Sequence, residues 1–548
     1  MALSPPCKEP ASHVHFSRRA VCVVAAASVA VSNVAAASAD TATYYSTKQH
    51  YFPAGTIDSY SEAPEGFQQI YTSSVNRHGS RGLSSFKYDD LAGQMLTAAK
   101  ERGQLTELGE RLIPQVEAMS KANRELTGPG EGGYGNLTAF GRAELSGIGE
   151  RNARRNAELF DAIDREKHSI SFLSSGEDRA IESGWYFGSG LLETNPELTD
   201  NLTYGAADGH VELEPRRDLL YAHKDKTAPS YEAYKAWADG GVLEEKVEQA
   251  YAKPASREAA TSLLGKIFAP EFIDAIDNGT LTFVGVEKKD KTVEGIVDAA
   301  LQFYNLYIIA PAMEEEPAKP AEGWIFDEYM DESDGPTFAY LLDVEDYYEK
   351  GPAIAGQTVS YDNFAPLLDH MLAGVRERAE GGDTAAEFRF GHAETIVPLA
   401  ALLKLPGSEK GVPANQVMDY SNSSWRGDKV TPMGANIQWD AFQNDNDDTI
   451  VRMLYNEAEV PFHSGCVPIE EGSMFYTLDE LEDCLPLGAT SDHAKARLTE
   501  TATPVPAPET SSSKMGAPEV IAIAVAAFFS VWALLGLGGQ VITRLMPR

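Results

Sequence analysis

Five consecutive residues, Arg77-His78-Gly79-Ser80-Arg81, set an imidazole between two guanidiniums. A guanidinium presents a planar fork of donors that fits phosphate oxygens, so two of them this close read as a phosphate cradle. The glycine gives the backbone freedom to turn there. A histidine inside such a cradle is either one more donor or the nucleophile itself. Two distant stretches carry matching chemistry. Ser174-Ser175-Gly176-Glu177-Asp178-Arg179 offers another guanidinium, and Gly391-His392-Ala393-Glu394 another imidazole beside a carboxyl. No cofactor is called for, and no Cys/His spacing suggests a metal site.

Each stretch needs an element to hold it. Residues 67–75 read as a strand that delivers the first motif. Residues 169–173 read as a strand, followed by the polar turn and a helix from about Ala180. Strand, turn and helix place side chains at the carboxyl edge of a sheet, which gives Arg179 a route to the edge that holds His78. Phe388-Arg389-Phe390 alternates as a short strand and residues 395–405 are apolar and helical, so His392 sits at a second strand-to-helix junction. There the amides and the positive dipole end favour an anion.

Around these, residues 88–122 carry apolar side chains at helical spacing, among them Leu91, Met95, Leu105 and Leu112. Residues 140–163 form an amphipathic helix with Thr138 placed to cap it. Residues 231–268 are helical and rich in Ala, Glu and Lys, while 295–310 and 361–378 add further helices. Residues 437–439 and 450–455 read as late strands, and 40–66 as an ordered segment wrapping the fold. The expected fold class is α/β: a large α/β sandwich with a central mixed sheet, a mainly helical inserted domain over 191–300, and a C-terminal transmembrane helix.

The chain has 548 residues, 43% hydrophobic and 23% charged, ample for a sizeable core. Its 46 Lys and Arg face 82 Asp and Glu, a net charge of −36. Such a surface repels nucleic acid, and it makes any anion site a local exception. Lys224, Lys226, Lys288, Lys289 and Lys291 are scattered basic residues; most are solvated surface, and one or two are candidates to face a substrate. No protein partner is expected.

Both ends address a membrane. Residues 1–39 have a basic start at Ser17-Arg18-Arg19, an apolar run and a small-x-small site at Ala37-Ser38-Ala39, the pattern of a cleaved export signal. Residues 499–515 are rich in Thr, Pro, Ala and Ser, a stalk composition. Residues 518–541 hold an apolar run long enough to span a bilayer, with Arg544 and Arg548 behind it, which favours a cytoplasmic C-terminus. The expectation is an exported, single-pass protein with its catalytic domain outside. Cys466 and Cys484 remain in the mature chain, and export would allow a disulfide between them.

The Arg77–Arg81 motif resembles the signature of the histidine acid phosphatases, branch 2 of the histidine phosphatase superfamily. Gly391-His392-Ala393-Glu394-Thr395 resembles the His-Ala-Glu motif of the multiple inositol polyphosphate phosphatases within that branch. Leu137-Thr138 through Gly149, residues 174–183 and Val451 to Glu457 are similar to further family segments. The likeness spans roughly residues 67–485. One departure stands out: Leu83 occupies a position where the family commonly has proline. The resemblance implies a phosphatase core over 40–190 and 301–498. It implies that His78 attacks phosphorus and that Arg77, Arg81, Arg179 and His392 bind the phosphoryl oxygens. Glu394 would protonate the leaving group. The implied substrates are phytate and lower inositol phosphates. Alternatives are a broad acid phosphatase and a catalytically silent surface-binding protein that kept the fold.

Overall fold

The structure, a computed structural model, describes residues 44–287 and 291–487. The expected export signal, stalk and C-terminal apolar segment lie outside the described residues, as do Lys288 and Lys289. Among the described residues the one helical stretch long and apolar enough to cross a membrane is Gly295–Met313, and it is buried within the fold.

An eight-stranded mixed sheet runs through the molecule. Its centre is the strand Gln68–Arg77, parallel to Thr384–Gly391 on one side and antiparallel to Asn436–Gln443 on the other. Beyond Thr384–Gly391 the strand Ser169–Ser174 continues in parallel, followed by the two-residue strand Glu214–Pro215. Beyond Asn436–Gln443 come Thr449–Tyr455 and then the short strands Ala458–Val460 and Tyr476–Thr477, all antiparallel. The central strands are buried along most of their length, as expected of strands covered on both faces.

Register decides the function of this sheet. Arg77 pairs with Gly391, and Phe390 pairs with both Asn76 and Ser174. Three parallel strands therefore end level, and His78, His392 and Ser175 follow directly at one carboxyl edge.

One face of the sheet packs a core of Leu145, Ile148, Phe160, Phe187, Phe388 and Phe390, supplied largely by the helices Ala139–Arg155 and Asp178–Thr194. The other packs Leu368, Met371, Ile396, Leu399 and Trp439 beneath Ala365–Ala379 and Ala393–Leu402. A separate helical core includes Met95, Met119, Leu263, Phe303 and Tyr347. It is not confined to 191–300. The helices Lys87–Glu101, Glu107–Glu125 and Gly335–Lys350 pack into it from outside those bounds, and Glu214–Pro215 inside them joins the main sheet.

Two long helical stretches are interrupted. The 88–122 stretch breaks at Gly103, whose φ of 65° is left-handed, and Thr106 restarts the chain by accepting from the Gly109 amide at 3.0 Å. The 140–163 stretch breaks at Asn156, whose side chain donates back to the Asn152 carbonyl at 3.1 Å. Thr138 does cap its helix, accepting from the Gly141 amide at 3.2 Å. Cys466 and Cys484 form a disulfide with their Cα atoms 5.2 Å apart.

A charged cluster ties a helix to the sheet. Asp440, fully buried, accepts from Arg155 at 3.1 Å, from Arg452 at 3.1 Å and from the Thr72 hydroxyl at 2.8 Å. Asp440→Ala takes the shared carboxylate from two buried guanidiniums and leaves Arg452 only its longer contact with Glu459, a cost of about 3–5 kcal/mol. Chemical denaturation should show that loss, while Asp445→Ala on an exposed turn should stay within about 0.5 kcal/mol of the unsubstituted protein.

Candidate active site

Directly after the central strand, His78 is 3% exposed. Its amide donates to the Gly391 carbonyl at 3.0 Å, and its carbonyl accepts from the Gly434 amide at 3.0 Å. The backbone is thus pinned from both neighbouring strands. Nδ1 lies 2.9 Å from the Gly79 carbonyl, which has no proton to give, so Nδ1 carries the hydrogen and Nε2 keeps its lone pair. Burial holds His78 well below the ordinary imidazole value, and Arg179, Arg77 and Arg81 push the same way.

Gly79 is required for space rather than torsion, since its φ is not in the left-handed region. A Cβ there would stand 2.5 Å from the Gly141 carbonyl oxygen, and one on Gly141 would stand 1.9 Å from the Ser80 oxygen. The loop is pressed against the start of the Ala139–Arg155 helix. From that helix Glu144 accepts from the Ser80 amide at 2.6 Å, the Ser80 hydroxyl at 3.0 Å and the Tyr51 amide at 2.9 Å. Burial pushes this carboxyl up to about 7 against those donors.

Leu83 fits the loop in its own way. Its amide donates to Asn123 Oδ1 at 2.7 Å, and its side chain is 1% exposed in the helical core. Proline has no such hydrogen. Here a hydrogen bond constrains the loop where a ring would constrain it otherwise.

Arg77 is fixed by carbonyls. One terminal nitrogen donates to the Thr47 oxygen at 2.6 Å and to the Thr431 oxygen, while Nε has no partner among the described residues. The Thr47 carbonyl belongs to the segment preceding the sheet, which wraps back onto the site. Arg81 donates to the Gly82 carbonyl at 2.7 Å. Burial pulls both arginines down to about 10, with Arg179 and Arg77 adding to it at Arg81 and Glu394 and Asp346 opposing it at Arg77, and both stay charged at any working pH. Arg179, at the start of the Asp178–Thr194 helix, keeps 3.8 Å from Glu177, and its buried Nε has no partner among the described residues.

His392 closes the constellation. Its ring centroid is 5.5 Å from that of His78 and 4.4 Å from that of Tyr221. Nε2 meets the Ser175 hydroxyl at 2.8 Å, and Nδ1 is buried without a partner among the described residues. Burial holds its ring well below the usual imidazole range, with Arg179 adding to the effect. Three level strand ends have therefore brought His78, Arg77, Arg81, Arg179 and His392 into one cleft, with donor nitrogens left unmet.

Glu394 stands in the first turn of the Ala393–Leu402 helix, 4.0 Å from Lys350 Nζ. Burial raises its carboxyl, but Lys350, His223 and His392 outweigh this and hold it well below the ordinary value. The neighbours are residues that local sequence did not reveal. Lys350 ends a helix of the helical core and is 5% exposed. His223 is buried with both ring nitrogens unpartnered, and burial takes it down to about 3. Lys48 comes from the wrapping segment, where burial, then Arg77, lower it to about 7. Of the scattered lysines, Lys224 joins this group, lowered by burial to about 8 and drawn up by Glu349 and Glu394. Lys226 is exposed. Among the described residues no His, Cys, Asp and Glu cluster could hold a metal ion.

A neutral imidazole with a free nitrogen among fixed cations is the equipment of a phosphatase that works through histidine. The chain belongs to the histidine phosphatase superfamily (branch 2), whose family model matches residues 73–456. It is similar to the multiple inositol polyphosphate phosphatase of Bifidobacterium longum in crystals with phosphate. That match is 36% identical, covers 82% of this chain and 98% of that one, and has a TM-score of 0.77. The same enzyme with inositol hexasulfate matches at 37% identity over the same shares, with a TM-score of 0.76. Multiple inositol polyphosphate phosphatase 1 of Gallus gallus is 22% identical over 458 residues, 78% of this chain and 88% of that protein. The protein is a phosphatase.

The low basicity of His78 has a measurable consequence. A histidine with its proton affinity depressed stays neutral as pH falls through the ordinary imidazole midpoint, about 6.5. The acid limb of kcat/KM should therefore show no inflection near that value and should appear at lower pH. A decline centred at the ordinary midpoint would contradict this placement of the ring.

Proposed function

We propose that the protein hydrolyses phytate and lower inositol polyphosphates through a phosphohistidine at His78, outside the membrane and held there by its C-terminal segment. The observation that carries the reading is the His78 ring itself. Its Nδ1 is engaged by the Gly79 carbonyl, which leaves Nε2 as the nitrogen with a lone pair, and nearby Arg77 and Arg179 each keep a buried Nε without a partner among the described residues.

In the first step Nε2 forms a bond to phosphorus as the bond to the inositol oxygen breaks. Arg77, Arg81, Arg179 and His392 hold the equatorial oxygens and their growing charge, and cations fixed in advance need no reorganisation. The departing alkoxide takes a proton from Glu394, since an inositol oxygen leaves poorly as an anion. In the second step water attacks the phosphohistidine, its proton passes to Glu394, and phosphate leaves with His78 neutral again. Because Glu394 is held low in the empty site, kcat/KM for phytate falls as pH rises, which gives an acidic optimum. The relatives' names support the substrate class, and the cleft's cations suit a polyanion.

His78→Ala should cut phosphate release from phytate by about four orders of magnitude or more. Retained turnover in that variant overturns the mechanism. An unsubstituted enzyme whose kcat/KM for a simple aryl phosphate exceeds that for phytate overturns the substrate assignment. The anchoring reading has its own test: a chain ending at Ser513 should be secreted in soluble, active form, and activity that remains with the membrane fraction speaks against it.

A further inference from the structure

Lys350 is the least expected member of the cleft. It arrives at the C-terminal end of the Gly335–Lys350 helix, which belongs to the helical core rather than to the sheet. Its ammonium meets Asp346 at 2.7 Å, Glu349 at 2.8 Å and Glu394 at 4.0 Å. A buried ammonium among three carboxylates is strongly retained as a cation, and it helps to hold Asp346 and Glu394 as anions. For Glu394 this conflicts with proton donation.

The surroundings make Lys350 the decisive neighbour. On its own helix it is the one cation facing Glu394, against Asp346 and Glu349. From the 221–224 segment Tyr221, His223 and Lys224 face the same carboxyl, and Tyr234 adds a phenol from the helical core. From the nucleophile loop Arg77 and Arg81 act on it, and beside it stands His392. The two histidines are buried and neutral, and the arginines are committed to the reacting phosphoryl group. Lys350 is the lysine in ion-pair contact with Glu394, and Lys224 and Lys48 lie close enough to add to the field around it.

We propose that Lys350 couples substrate choice to proton donation: a second phosphate on the ring position beside the leaving oxygen takes Lys350, with Lys224, away from Glu394, and Glu394 then carries the proton that the leaving alkoxide needs. Lys350 is a positioning residue in this scheme, and it rests on the phosphomonoesterase reading above. A substrate with one phosphate reaches the cradle but leaves the Lys350–Glu394 pair intact, so its alkoxide departs without help. A polyphosphorylated ring neutralises Lys350 and brings negative charge toward Glu394, and both effects raise the carboxyl's proton affinity. The proton enters from solvent as the anion binds, passes to the alkoxide when the P–O bond breaks, and is regained from the attacking water.

The test compares phytate with glycerol 2-phosphate, a monophosphate whose alkoxide also leaves poorly. Lys350→Met should lower kcat/KM for phytate and raise it for glycerol 2-phosphate, so that the ratio falls by about tenfold or more, the effect of one unit in the proton affinity of Glu394. Lys350→Arg should restore much of the ratio. Parallel loss on both substrates, or an unchanged ratio, overturns the proposal. A second measurement needs no variant. In the unsubstituted enzyme the alkaline limb of kcat for phytate should lie at higher pH than the alkaline limb of kcat/KM, because only the former reports the complex. For glycerol 2-phosphate the two limbs should coincide. Coinciding limbs for phytate overturn the coupling while leaving the phosphatase reading intact. Failure of the unsubstituted protein to release phosphate from phytate overturns both.

Discussion

Arg77, Arg81 and Arg179 share one cleft with Lys48 and Lys350, where the low local dielectric leaves their repulsion poorly screened. Much of the neighbouring structure deals with that charge. The carbonyls of Thr47 and Thr431 hold Arg77 without neutralising it, and Gly82 does the same for Arg81. Carboxylates are kept mostly behind the cleft or beside Lys350. Glu144 braces the Ser80 backbone, and Asp346 and Glu349 serve the lysine. The result is a site whose positive charge is left for a ligand to satisfy. Burial is the main reason that His78 and His392 stay neutral, and the crowded charge adds to it, since an imidazolium there would repel Arg179 and Arg77.

Sheet register turns that chemistry into geometry. Because Arg77 and Gly391 are paired partners and Ser174 is level with Phe390, three turns begin at the same height. A slip of one residue would send His78 or His392 to the opposite face of the strand. The Asp440 cluster and the Gly79–Gly141 contact lie on elements that flank this register. Stability is invested there, while the cleft itself contains repulsion.

Much of this was legible in the sequence, for physical reasons. The Arg77–Arg81 and Gly391–Glu394 stretches combine local chemistry with a local change from strand to helix, and both signals sit within a few residues. Thr138 was legible as a cap for the same reason. The break at Asn156 was not, because the apolar stripe runs on across it and only a side-chain bond to Asn152 ends the helix. The role of Gly79 was misread from the turn: the structure places its need in the 2.5 Å approach to Gly141, a contact between distant residues. Lys48, His223 and Lys350 carry no motif at all. They enter the cleft through tertiary packing, from the wrapping segment, the 216–224 stretch and the helical core. The extent of the helical part was also hidden, since Lys87–Glu101 and Gly335–Lys350 look like any amphipathic helices until they pack.

The net charge of −36 then takes on a meaning beyond solubility. At physiological salt, charges interact strongly only within about 8 Å, so the acidic exterior and the cationic cleft act on a ligand at different stages. Beyond that range screening leaves the acidic exterior little hold on a polyanion, and nothing draws it in. Only at the site itself does it meet Arg77 and Arg81, which the protein holds by carbonyls rather than by carboxylates. Selection therefore happens at short range, by matching the number and spacing of anionic groups to the fixed cations. A ligand with one phosphate engages the cradle around His78 and does not reach Lys350, which keeps Asp346, Glu349 and Glu394. One with several phosphates on a compact ring can satisfy both, and the sharper discrimination comes from the side that does no chemistry.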